Sequence, residues 1–121
     1  KLSGAESVTI WGSGTPRREF LHVDDLADAV VHLYRTYDSP DIVNIGCGED
    51  IAISELAKLV SAVTGYEGRL EFDTTKPDGA PRKLLDITRL DELGWRAKIP
   101  LRTGIEHTYT WFKEHAAEAR L

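Results

Sequence analysis

Four cationic side chains able to hold an anionic ligand sit in two loops stiffened by proline and glycine: Arg17 and Arg18 in GSGTPRREF, Arg82 and Lys83 in KPDGAPRK. Arginine presents a planar fork that can grip two phosphate oxygens at once, and a charge-assisted hydrogen bond of this kind, shielded from water, contributes about 1.5–3 kcal/mol. Glycine lets the backbone approach a ligand closely, and proline limits the entropy lost when the loop is ordered. Trp11, just before the first loop, adds a flat surface for a base or sugar ring. Two readings are open at this point: a diphosphate clamp, or exposed turns whose charges keep the chain in solution.

Other constellations are weaker. Gly12-Ser-Gly14 has the start of a Gly-x-Gly-x-x-Gly dinucleotide loop, but Arg17 replaces the third glycine, Pro16 intervenes, and the next residues read as extended rather than helical. Gly46-Cys-Gly48 lies between a strand-like and a helix-like stretch, yet its third position is Ile51, which favours a structural turn. Tyr109 and Lys113 have the Tyr-x-x-x-Lys spacing used for proton transfer and share a helix face, but Tyr109 falls on an apolar stripe, so core packing is the expected role. His22, Asp24 and Asp25 do not have metal-ligand spacing, His107 and His115 read as solvated helix positions, and Cys47 reads as a small buried thiol with no base beside it.

These residues need elements to position them. Ser7 to Trp11 and Glu19 to Val23 read as strands, joined as a β-hairpin or a bent extended loop. Asp24 is an N-cap candidate for a helix over about 25–37, with Leu26, Val30, Leu33 and Tyr37 as its apolar stripe. DIVNIGCGED suggests a short central parallel strand with Ile42, Val43 and Ile45 buried on both faces. Ser54 would cap a helix ending at Gly65, Arg69 to Asp73 alternates as a strand, and residues 76–83 read as loop. A short helix over about 88–93 stops at Gly94. Ile105, Tyr109, Phe112 and Ala116 mark a closing helix. Strands alternating with helices argue for an α/β fold.

The 121 residues suffice for one core. A net charge of −5 disfavours nucleic acid as a partner, no apolar run is long enough to cross a membrane, and a single cysteine with no leader points to the cytoplasm.

Three stretches, WGSGTPRREFLHVDDLADA, NIGCGEDIAISELA and KPDGAPRKLLDITRLDELGW, together resemble the C-terminal part of the GDP-L-fucose synthases, a family of extended short-chain dehydrogenases/reductases, and the likeness continues to TYTWF. The first two are shared with nucleotide-sugar epimerases and dehydratases at large; KPDGAPRKLLD is similar to the GDP-fucose branch in particular. The resemblance implies an enzyme that epimerises GDP-4-dehydro-6-deoxy-D-mannose at C3 and C5 and reduces it at C4 with NADPH. An N-terminal Rossmann domain would bind NADP and carry the reacting residues, and residues 1–121 would be a C-terminal GDP-sugar-binding domain lacking most of that Rossmann domain. By motif, Trp11, Arg18, Asp78 and Lys83 match substrate-binding positions: Arg18 and Lys83 at the diphosphate, Trp11 and Asp78 lining the nucleotide-sugar pocket. Arg17 falls where the family tolerates other residue types. Separated from its Rossmann partner, such a piece is expected to be inactive and to self-associate or exchange elements between copies, because apolar faces would lack a cover. The alternatives are a free-standing nucleotide-diphosphate module, the same part of another nucleotide-sugar epimerase or dehydratase, or an interaction domain with no ligand.

Overall fold

The elements run β1 (Ser7–Trp11), β2 (Arg17–Glu19), α1 (Val23–Thr36), β3 (Asp50–Ala52), α2 (Ile53–Thr64), β4 (Arg69–Asp73), β5 (Arg82–Lys83), α3 (Thr88–Glu92) and α4 (Leu101–His115). They come from a computed structural model describing residues 4–116. β1 and β4 form the strands expected of them, and of the two forms anticipated for the link between β1 and β2 the chain takes the bent loop rather than the hairpin. β1 pairs in parallel with β4, from Ser7 opposite Arg69 to Trp11 opposite Asp73, whereas β2 joins a second sheet of order β3-β2-β5. Gly12 and Gly14 make the transfer: both take left-handed backbone, with φ of 86° and 76°, and bend the chain away from β1. β2 itself stops at Glu19, and Val23 already belongs to α1.

The second sheet is small and mixed. Arg17, Arg18 and Glu19 lie antiparallel to Ala52, Ile51 and Asp50, while Arg17 and Arg18 lie parallel to Arg82 and Lys83. The loop before β2 is also fastened to α2. The first amide groups of that helix, on Ile53 and Ser54, donate to the carbonyls of Pro16 and Gly14 at 3.0 and 2.9 Å. Ser54 is therefore inside α2 rather than its cap. The helix starts earlier because loop carbonyls, together with Glu55 accepting from the Ala52 amide at 3.2 Å, satisfy its open end. Gly65 ends it in the left-handed conformation anticipated, φ 65°, and the Tyr66 amide returns to Ser61 O at 2.9 Å.

α1 differs from its pattern in two respects. Its N-cap is His22, whose Nδ1 accepts from the Asp24 amide at 3.2 Å, so Asp24 sits in the first turn. The helix also faces the core with Asp25, Ala29 and Leu33, leaving Val23, Leu26, Val30, Val31 and Tyr34 exposed. Periodicity marks a stripe but not which stripe meets the rest of the chain. The buried Asp25 carboxylate decides this helix's rotation by accepting from the Lys98 and Ile99 amides at 3.0 and 2.9 Å.

Residues 41–49 form no strand. Ile42 is 87% exposed, and only Val43 and Ile45 pack against the core of Ala29, Leu90 and Trp95. A parallel strand needs ladders beside it; here the segment is held by side chains, with Arg89 donating to Ile42 O and Asn44 to Asp86 O. Trp95, 3% exposed, anchors the core and donates from Nε1 to Asp28 at 2.8 Å. Truncating it to alanine is expected to cost about 3–5 kcal/mol, enough to unfold a core this small. α3 occupies the expected range, and α4 forms where a closing helix was marked, ending one residue before Ala116, with Gly94 in left-handed backbone between the two helices. Ile105, Tyr109 and Phe112 line an apolar groove against Leu56 and Val60 of α2, while Ala116 is exposed.

Candidate functional site

The two basic loops meet. In the β2–β5 register Arg17 stands beside Arg82 and Arg18 beside Lys83, so strand alternation sorts four cations into two pairs on opposite faces. Arg17 and Arg82 turn to one carboxylate, Asp50 of β3, whose side chain is only 4% exposed. Arg17 Nε donates to Asp50 Oδ1 at 2.7 Å and its Nη2 to the Asp50 carbonyl at 3.0 Å; Arg82 Nε donates to Oδ2. Hydrogen bonds from the two arginines hold the Asp50 carboxyl below the ordinary carboxylate range, and the Arg17 guanidinium is raised in turn.

The other pair is placed differently. Arg18 Nη1 donates to the carbonyls of Arg17 and Ala80 at 2.6 and 2.7 Å, and among the described residues neither Arg18 nor Lys83 is in an ion pair. Backbone carbonyls fix the guanidinium without neutralising it. A Cβ on Gly79 would sit 3.0 Å from Arg18 Nη2, so glycine there leaves room for the fork.

Asp78 and Trp11 continue the same edge. Asp78 accepts from the Ser13 amide at 2.8 Å and the Ser13 hydroxyl at 2.6 Å, and these bonds keep its carboxyl below the usual range. A side chain on Gly12 would overlap the Asp78 carboxylate, which explains a glycine beside the tether. Asp78 therefore locks the 76–83 loop onto the 12–20 loop. Trp11 is 74% exposed, with the Lys76 ammonium 5.7 Å from its ring centre. Of the four residues matched by motif, only Arg18 borders a hollow of about 590 Å³, which Arg17, Asp50, Phe20, Cys47 and Lys98 also line; Trp11, Asp78 and Lys83 do not line it.

Sequence reasoning missed Glu19. Its Oε1 accepts from the Cys47 and Gly48 amides, both at 2.7 Å, and its Oε2 from the Leu85 amide at 3.0 Å, so one carboxylate holds the IGCG turn and the exit of β5. The available signal was its strand spacing, two residues from Arg17 and on the same face. Cys47 is partly buried, and burial pushes its thiol up, away from reactivity. Lys113 lies over the Tyr109 ring at 5.0 Å, which occupies the Tyr-x-x-x-Lys pair with itself at the groove. His107 meets His22 edge-on, with His22 packed against Gly104, and His115 stacks on Trp111 rather than standing free in solvent.

Residues 1–46 match the family described as NAD dependent epimerase/dehydratase. GDP-L-fucose synthase 1 of Arabidopsis thaliana is 55% identical over 112 residues, covering 93% of this chain and 35% of the relative. Over nearly its whole length the chain is similar to GDP-L-fucose synthases, and its first 46 residues to the wider epimerase/dehydratase family. Two solved structures place it within that family's extended short-chain dehydrogenase/reductase fold. A GDP-L-fucose synthetase from Naegleria fowleri bound to NADP superposes with a TM-score of 0.90 at 26% identity, over 95% of this chain and 37% of that one. A GDP-6-OMe-4-keto-L-xylo-heptose reductase from C. jejuni gives 0.83 at 38% identity, over 91% and 34%. The chain spans little more than a third of the length of the curated relatives it matches.

A Gly-x-Gly turn holds a dinucleotide pyrophosphate when a helix N-terminus follows directly. Here Gly12 to Gly14 leads into β2, Gly46 to Gly48 leads into β3, and the first amides of α2 are taken by Gly14 and Pro16. Neither turn therefore has the strand–loop–helix geometry that holds a dinucleotide pyrophosphate.

Proposed function

We propose that this chain, residues 1–121, is the GDP-sugar-binding domain of an NADPH-dependent epimerase/reductase that converts GDP-4-dehydro-6-deoxy-D-mannose to GDP-L-fucose. The observation that carries the reading is the β2–β5 register, which sets Lys83 beside Arg18 on a face with no ion pair among the described residues. Arg18, held by two carbonyls, offers its fork to the diphosphate, and Lys83 adds a point charge next to it. Trp11 supplies a face for the guanine or sugar ring, and Asp78 keeps the two loops at a fixed separation through Ser13. NADP and the residues that move protons and hydride belong to the rest of the parent enzyme, so this domain alone binds without turnover. A neighbouring GDP-sugar reductase is the second reading, favoured by the 38% identity to the heptose reductase; it keeps the GDP clamp and changes only the sugar.

Calorimetry of the chain with GDP, ADP and NADPH tests this. Weak binding of GDP alone is expected, because only part of the pocket is present. Equal response to GDP and ADP would make the chain a general diphosphate module, and no heat with any of them would leave an interaction domain.

A further inference from the structure

The four cations of β2 and β5 occupy a two-by-two patch, Arg17 beside Arg82 and Arg18 beside Lys83, and like charges directly opposite on neighbouring strands repel. β5 is only two residues long, so few backbone bonds oppose that repulsion. Asp50 is the group placed to do so. It reaches across the central strand β2 from β3 and takes a guanidinium nitrogen of Arg17 on one oxygen and of Arg82 on the other. Glu19 adds a second hold on the same face, through the Leu85 amide just beyond β5.

We propose that Asp50 is a positioning residue for the diphosphate clamp: by bridging Arg17 and Arg82 on one face of the sheet, it holds β5 in register and so sets Lys83 beside Arg18 on the other. This role rests on the diphosphate reading of the same site. It makes a prediction whose sign is opposite to simple electrostatics. Removing a negative charge beside a cationic site raises the attraction for an anion if charge alone matters, whereas loss of a bridge misplaces Lys83 and lowers it.

Asp50→Asn and Arg82→Ala are the variants, with Arg82→Ala keeping Asp50 paired to Arg17 should the asparagine change cost the fold. Without nucleotide, amide exchange over residues 82–85 should rise at least tenfold in both, with α2 and α4 unchanged; unaltered exchange overturns the inference whatever the ligand does. With GDP, affinity should fall about tenfold in both. Adding Lys83→Ala to Asp50→Asn should then cost much less than it costs in the unmodified chain, a coupling between residues on opposite faces that general destabilisation does not produce. Affinity that rises or stays level in Asp50→Asn overturns the inference alone. A parent chain that ignores GDP overturns the diphosphate reading instead, and with it the part assigned to Asp50 in binding.

Discussion

The two faces of the β3-β2-β5 sheet carry the same kind of charge in opposite circumstances. On one, Arg17 and Arg82 share the Asp50 carboxylate, shielded from water and supplied by the chain itself. On the other, Arg18 is aimed by carbonyls and Lys83 stands beside it without an ion pair among the described residues. An arginine with an internal carboxylate is part of the structure; an arginine fixed in place but left charged is the one the proposed diphosphate would meet. Sequence alone cannot separate two adjacent arginines by composition, but a strand puts neighbours on opposite faces, and the faces differ in their anions.

The sharpest break of this contrast is between neighbours. Arg18→Ala should weaken GDP binding by tenfold or more in calorimetry, whereas Arg17→Ala should change it less than threefold because Asp50 keeps its hold on Arg82; equal losses erase the distinction between faces. Next in size, Ser13→Ala should weaken GDP binding roughly threefold to tenfold by freeing the Asp78 tether, since one charge-assisted bond is lost.

Acid tests the internal anion from another side. Asp50 and Asp78 both have carboxyls held below their unfolded values, by Arg17 and Arg82 for the first and Ser13 for the second. Their contribution is complete above the ordinary carboxylate value and is lost as pH falls through the depressed one. Melting temperature should therefore drop as pH is lowered below about 4, and Asp50→Asn should flatten part of that slope; a flat profile in the parent chain means these pairs do not persist in solution.

A smaller effect concerns the face of α1 turned away from the core. Val23, Leu26, Val30, Val31 and Tyr34 form an exposed apolar stripe, so light scattering at high concentration should show self-association, reduced by Val30→Asp with GDP affinity retained. Strictly monomeric behaviour counts against it. Smallest of all, Lys113→Ala should leave GDP binding unchanged, since that ammonium lies over Tyr109 at the apolar groove.

What could be read in advance was local. Gly65 and Gly94 end helices because only glycine takes left-handed backbone cheaply there, and β1 and β4 announce themselves by β-branched or alternating residues. Motif groups Arg18, Lys83, Trp11 and Asp78, and the loops bearing them do come together, though Asp78 spends both oxygens on Ser13. The losses share a cause in long-range pairing. Asp25, Glu19 and Asp50 are ordinary carboxylates until their partners, 28 to 74 positions away, are known. Ile42, Val43 and Ile45 look like a buried strand because apolarity signals a wish for cover, not its presence. The stripe of α1 was seen, but a periodic pattern carries no instruction about which side the rest of the chain occupies.

The three tryptophans differ sharply in surroundings: Trp95 is sealed in the core, Trp111 stacks on His115, and Trp11 projects into solvent at the edge of the clamp. Each should therefore emit in its own part of the fluorescence spectrum. Quenching confined to the red edge on adding nucleotide, and abolished in Trp11→Phe, gives the molecule a built-in optical gauge of occupancy that needs no label.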